Sequence, residues 1–100
     1  MIIYNVTVNI DDDAHEAWLS WMKSTHIPDV VNTGCFLHGK MFRIMVDEQQ
    51  GTSYSIQYTA NSMKEVEHYL EQHAPRLRQD ATDKFGGKFT AFRTLLEQVD

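Results

Sequence analysis

The residues best suited to move a proton or hold an anion are His26 and Arg43. An imidazole titrates near neutral pH, so His26 is a candidate general acid or base. Pro28 follows two residues later and restrains the backbone beside it. The alternative role for His26 is structural, as a cation favoured by the negative end of a helix. A second His-x-Pro, His73 to Pro75, supports that alternative, since catalysis does not demand two copies. Arg43, flanked by Met41 and Met45, has the planar fork that holds a carboxylate or enolate oxygen. It suits equally well an edge strand, where a charge discourages aggregation. Tyr54 and Tyr58 carry hydroxyls that can donate to a ligand, or they pack in a core with the hydroxyl at its rim. Asn5, Asn9 and Gln57 are the amide side chains placed to orient a substrate.

Other chemistries find less support. The histidines at 15, 26, 38, 68 and 73 show no tight metal-ligand spacing, and five residues of continuous helix put His68 and His73 on different faces. No metal and no cofactor is therefore expected. Cys35 has neither a CxxC partner nor a basic neighbour to activate it. Asp11-Asp12-Asp13 lacks the EF-hand pattern. Arg76, Arg78, Lys84, Lys88 and Arg93 with Gly86-Gly87 form a basic stretch that suits an anion or a solvated helix face, without phosphate-loop spacing.

The chain has 100 residues, 42% hydrophobic and 23% charged, with a net charge of −5. These proportions are those of a globular protein, and the length suits a single domain over residues 1–100. A chain this short buries only about two-thirds of its unfolded surface, so a deep site needs a partner subunit. The acidic balance disfavours a general nucleic-acid binder. No apolar run is long enough for a membrane span, and no leader pattern opens the chain. One cysteine cannot form an internal disulfide, so a reducing, cytoplasmic location is the expectation.

The elements that must position these residues follow from periodicity. Residues 1–10 alternate, with Ile2, Tyr4, Val6, Val8 and Ile10 on one face and Ile3, Asn5, Thr7 and Asn9 on the other, which predicts a strand. The three aspartates suit a helix start. Ala14, Trp18, Trp21, Met22 and Thr25 recur at helical steps, and Pro28 predicts a stop or kink near His26. Residues 35–46 form a second extended run, Asp47 to Thr52 a hairpin loop, and residues 53–60 a third strand. Ser62 and Glu65 form a capping box before a helix carrying Val66, Tyr69, Leu70 and His73. Pro75 breaks or restarts it, Leu77, Ala81 and Phe85 face inward, and Gly86-Gly87 ends it. Residues 88–99 are a last strand with apolar residues in both alternations, so its facing stays open.

The order is β-α-β-β-α-β, the ferredoxin-like plan. It predicts an α+β fold: an antiparallel four-stranded sheet in the order 4-1-3-2, with both helices on one face. The outer face of the two central strands is then Ile3, Asn5, Thr7, Asn9, Ser53, Ser55, Gln57 and Thr59, polar without a charge. Sheet faces in bulk water usually display Lys, Glu or Arg, so this one suits a covered interface or a polar cavity. The plainer alternative is a solvent face of good strand formers.

The opening Met-Ile-Ile-Tyr-Asn-Val-Thr-Val-Asn-Ile, Trp18-Leu19-Ser20-Trp21-Met22, His26-Ile27-Pro28-Asp29-Val30 and Gly34 resemble a bacterial family of chains this size. Tyr54-Ser55-Ile56-Gln57-Tyr58, His73-Ala74-Pro75-Arg76-Leu77 and Phe89-Thr90-Ala91-Phe92-Arg93 extend the likeness over nearly the whole chain. That family is grouped as a domain of unknown function and implies no activity. Trp21, His26, Pro28 and Gly34 also resemble the EthD-like members of the dimeric α+β barrel superfamily, which includes antibiotic-biosynthesis-type monooxygenases and muconolactone-isomerase-like enzymes. This resemblance implies two subunits paired sheet to sheet, and only His26 carries over by position.

Two functions are expected from this reading. One is a homodimeric barrel binding a small organic molecule, in which a cofactor-independent oxygenase or isomerase would use His26 for proton transfer and Arg43 for negative charge, with Asn5, Asn9, Gln57 and Tyr58 around the substrate. The other is a non-catalytic ligand-sensing or protein-interaction module built on the same dimer. Neither nucleic acid nor a membrane is an expected partner.

Overall fold

The computed structural model describes residues 1–47 and 50–100. Its elements are β1 (Ile2–Ile10), α1 (His15–Trp21), a π turn (Met22–His26), α2 (Ile27–Val31), β2 (His38–Arg43), β3 (Thr52–Ala60), α3 (Met63–Gln72), α4 (Ala74–Phe85) and β4 (Phe89–Glu97). The sheet order is β2-β3-β1-β4, and every pairing is antiparallel. Read from the other edge, this is the expected 4-1-3-2. Part of the expected hairpin loop, residues 48 and 49, lies outside the described residues.

The register fixes both faces of the sheet. Tyr4 pairs with Tyr58, Val6 with Ile56 and Val8 with Tyr54, and these side chains lie under the helices. Tyr4, Val8, Ile10, Tyr54, Ile56, Tyr58 and Ala60 are buried there with Trp18, Met22, Val30, Val66, Tyr69, Leu77 and Phe85. Phe36 joins Tyr4, Tyr58 and Tyr69 in an aromatic cluster with ring centroids 4.9–6.0 Å from Phe36. The pairing of β4 with β1 settles the facing of the last strand. Val6 opposes Arg93 and Val8 opposes Ala91 on the helix side, while Thr7 opposes Phe92 and Ile3 opposes Leu96 on the outer side.

Several details differ from the sequence expectation, among them the end of the second strand at Arg43 rather than residue 46. The second strand begins at His38 rather than residue 35, because Cys35 and Phe36 turn into the core before pairing starts. Of the stop or kink expected near His26, the first helix shows a local distortion and not a stop. It continues through the π turn into α2, with Pro28 in the first turn of α2. The Ile27 N–H bonds to the Met22 carbonyl five residues back, and this wider turn accommodates a proline that has no N–H to offer. At the start of α3, the Ser62 hydroxyl donates to the Glu65 carboxylate and makes no cap bond of its own, while that carboxylate also accepts from the backbone N–H groups of Ser62 and Glu65, the Glu65 half of the expected capping box.

Gly39 shows why β2 can lie so close to the helix layer. A Cβ there would stand 2.9 Å from the Tyr58 ring and 3.1 Å from Ile27 Cγ2. No helix among the described residues is long and apolar enough to cross a membrane.

Candidate functional site

The π turn delivers His26 to the space between the sheet and the helices. There the chain encloses a narrow cavity of about 50 Å³. Val6, Val8 and Tyr4 of β1 and Ile56 and Tyr58 of β3 form its floor, and Trp18, Met22, His26 and Tyr69 its roof. Arg78 of α4 and Arg93 of β4 stand at the open side, both exposed. Such a setting is apolar with a few convergent polar groups, the usual make-up of a small-molecule site.

His26 is the distinctive group. Its ring stacks on Trp21, with centroids 4.8 Å apart. Its Nδ1 is, among the described residues, the buried side-chain nitrogen or oxygen left without a hydrogen-bond partner. Burial pushes its pKa below the usual imidazole value; Asp29 and Asp80 oppose that shift and Arg93 adds to it. The ring is thus neutral at pH 7, with a lone pair or an N–H unclaimed by the protein. A neutral imidazole can accept a proton.

The tyrosines complement it. Burial raises the pKa of Tyr58 and of Tyr69 well above the usual phenol value, so both keep their protons. Tyr4 accepts a hydrogen bond from Arg78 Nη2 at 2.9 Å, which fixes the guanidinium at the cavity. Two cationic side chains beside a neutral base give a place for an anion formed by proton loss.

The structure distributes the sequence candidates over three places. His26 and Tyr58 line the cavity together. Arg43 opposes Tyr54 on the helix side of the sheet, and lines a separate open cleft with residues 44–47 and 51–53. Asn5, Asn9 and Gln57 stand on the outer face, across the sheet from His26. There Ser55 Oγ donates to Asn5 Oδ1 at 2.6 Å, Asn5 Nδ2 donates to Thr7 Oγ1 at 3.1 Å, and Gln57 Nε2 donates to Ser55 Oγ at 3.3 Å. Asn9 Nδ2 donates to Ser53 Oγ at 3.2 Å. Of the remaining candidates, Tyr54 bonds His15 Nε2 through its hydroxyl at 2.6 Å.

Arg78 and Arg93 were legible only as part of a basic stretch. Arg93 falls in the Phe89, Ala91, Arg93, Leu95 alternation, so a charge on the helix side of β4 was the available signal. The expectation that His68 and His73 face apart is corrected by the break between α3 and α4. His73 leaves helical geometry at φ −126° and ψ −37°, and the two rings meet edge-on at 5.7 Å.

Residues 1–99 match the family described as "Domain of unknown function (DUF4286)". The chain belongs to this family. Comparison with curated proteins finds no match. Among solved structures, the DUF4286 chain is similar to an EthD family protein from Bacillus halodurans, at 15% identity and a TM-score of 0.68, covering 99% of this chain and 100% of that one. It is also similar to SnoaB, a cofactor-independent oxygenase from Streptomyces nogalater, at 11% identity and a TM-score of 0.69, covering 99% and 94%. A dimeric ferredoxin-like protein from an uncultured marine organism aligns at 11% identity and a TM-score of 0.70, again covering 99% and 94%. At these identities the likeness shows the ferredoxin-like fold that the chain shares with EthD-like and monooxygenase-like proteins.

Proposed function

We propose that this DUF4286 protein is a homodimeric α+β barrel that binds a small enolisable organic molecule at His26 and moves a proton on it without a cofactor. The observation that carries this reading is the buried, unpartnered Nδ1 of His26, held neutral in a cavity flanked by Arg78 and Arg93. The imidazole takes a proton from carbon next to a carbonyl. The enolate oxygen that results faces the guanidinium groups, and Tyr58 shapes the floor. The structural likeness to a cofactor-independent oxygenase supports this class of reaction, since an enolate is the electron-rich species that such chemistry uses. In this arrangement Asn5 and Gln57 belong to the polar centre of the subunit interface, with Asn9 at its end, and Arg43 stays at the strand edge.

The outer face supports the dimer. Its centre is polar and internally hydrogen-bonded, with Asn5 only 9% exposed. The edge strands add Phe42, Phe92 and Leu96 to the same face, at 48%, 62% and 41% exposure. Large apolar groups around a satisfied polar centre are suited to burial against a second copy. The reducing, cytoplasmic location belongs to the same proposal and follows from the lone cysteine.

A second reading has its own observation. A cavity of about 50 Å³ has room for a few waters and must widen to admit an organic ring. If it stays closed, the same dimer is a non-catalytic interaction module. Deuterium exchange at the α-carbons of 2-indanone, followed by NMR, separates the two. The wild-type chain should accelerate exchange, and His26→Gln should abolish the acceleration. Equal rates with and without the folded wild-type protein would leave the interaction module.

A further inference from the structure

A second cluster of side chains shares no residue with the lining of the His26 cavity. Cys35, His68 and His73 each offer one ligand atom, and these atoms all lie within 4.8 Å of one another. Three parts of the chain converge to make the cluster. Gly34, at φ +85°, turns the chain after α2 and leads Cys35 into the core. His68 projects from α3 and is exposed. His73 occupies the break before α4. On a continuous helix, five residues would rotate the two imidazoles about 140° apart. The break removes that offset: His73 N–H still bonds the Tyr69 carbonyl at 2.9 Å, while its own carbonyl accepts from Leu77 at 3.2 Å. The His73 ring also stacks on Tyr69, with centroids 6.4 Å apart.

We infer that Cys35, His68 and His73 form a zinc-binding site, with the fourth coordination position open to solvent. One thiolate and two imidazoles are a soft-to-borderline donor set, which suits zinc and excludes calcium or magnesium as the favoured ion. Ligand atoms around tetrahedral zinc stand about 3.3–3.5 Å apart, given bonds of about 2.0 Å to nitrogen and about 2.3 Å to sulfur. The ligand atoms, within 4.8 Å of one another, close to that spacing around the ion; His68, exposed, has the most freedom to turn, while Cys35 is buried. The open position faces a cleft of about 320 Å³ lined by Thr33, Gly34, Lys64, Glu65 and His68. Glu65 stands one turn before His68 on α3, so its carboxylate borders the same cleft as the fourth position. Zinc binding would tie the α2–β2 connection to the α3–α4 joint, two segments distant in sequence.

The test is titration of the reduced, tag-free full chain with Co²⁺, followed by displacement with Zn²⁺. One equivalent of Co²⁺ should produce a thiolate-to-cobalt charge-transfer band and intense visible bands of a tetrahedral site, both lost on adding Zn²⁺. Zn²⁺ alone should raise the Tm. His68→Ala, at an exposed position, should fold normally yet weaken Co²⁺ binding at least about tenfold and remove the Tm shift. His38→Ala, an exposed histidine outside the cluster, should change neither. Cys35→Ser should lose the charge-transfer band if it folds; if it does not, His68→Ala decides alone. No charge-transfer band in the folded wild-type chain, or unchanged binding in His68→Ala, would overturn the assignment.

Discussion

A neutral histidine facing a cavity leaves a mark on stability that does not depend on knowing a ligand. Burial depresses the His26 pKa in the folded state below the unfolded value of about 6.5. Above that value both states hold the ring neutral and pH has no effect through this group. Below it the unfolded chain takes up a proton that the folded chain resists, so stability falls as pH drops toward the folded pKa. Thermal unfolding from pH 7.5 down to pH 5, a range chosen around that value, should show a smaller loss in His26→Gln than in the wild type. An identical pH dependence in the two proteins would mean that His26 is not held neutral by burial. Arg78 supplies a contrasting case. Arg78→Met should slow 2-indanone exchange about tenfold or more by removing charge stabilisation, yet leave the acid dependence of stability as in the wild type. His26 was legible in the sequence because an imidazole beside a proline stands out. Its Arg78 and Arg93 neighbours were not, because a charge on helix α4 reads first as a solvated face and the facing of β4, which carries Arg93, stayed open.

At the scale of the element, the strongest constraint is the close approach at Gly39. An added methyl meets aromatic carbons of Tyr58 at 2.9 Å, and Tyr58 is itself buried and cannot swing away. Gly39→Ala should therefore destabilise the fold by about 1–3 kcal/mol, measured as a lower urea midpoint with an unchanged slope. A neutral result would mean that β2 shifts outward freely. The elements were legible to different depths for physical reasons. β1 and β3 alternate strictly, because one side is core and the other is not, and both were read residue by residue. β4 carries Phe92 and Leu96 outward as well as Phe89 and Ala91 inward, so alternation alone did not orient it. Cys35 and Phe36 are as apolar as a strand, and only the register shows that they precede it. The π turn shifts hydrogen bonds without disturbing the apolar spacing, so Pro28 pointed to a stop or kink without showing that the chain accommodates it by widening one turn.

For the whole molecule, the two faces of one sheet divide the work. The helix face encloses the His26 cavity and completes the core. The outer face joins a hydrogen-bonded polar centre to Phe42, Phe92 and Leu96 on its flanks. Asn5, Thr7, Ser55 and Gln57 satisfy one another within the sheet, so covering them leaves few orphaned groups. The polar centre was visible in the sequence; the apolar flanks were not, because they come from edge strands whose facing needed the register. Sedimentation velocity on the wild-type chain and on Phe92→Glu, at micromolar concentration, tests the barrel most directly. The wild type should sediment as a dimer and Phe92→Glu as a folded monomer, since a carboxylate on that face would be buried without a partner. A wild-type monomer, or a dimer that Phe92→Glu leaves intact, would contradict it.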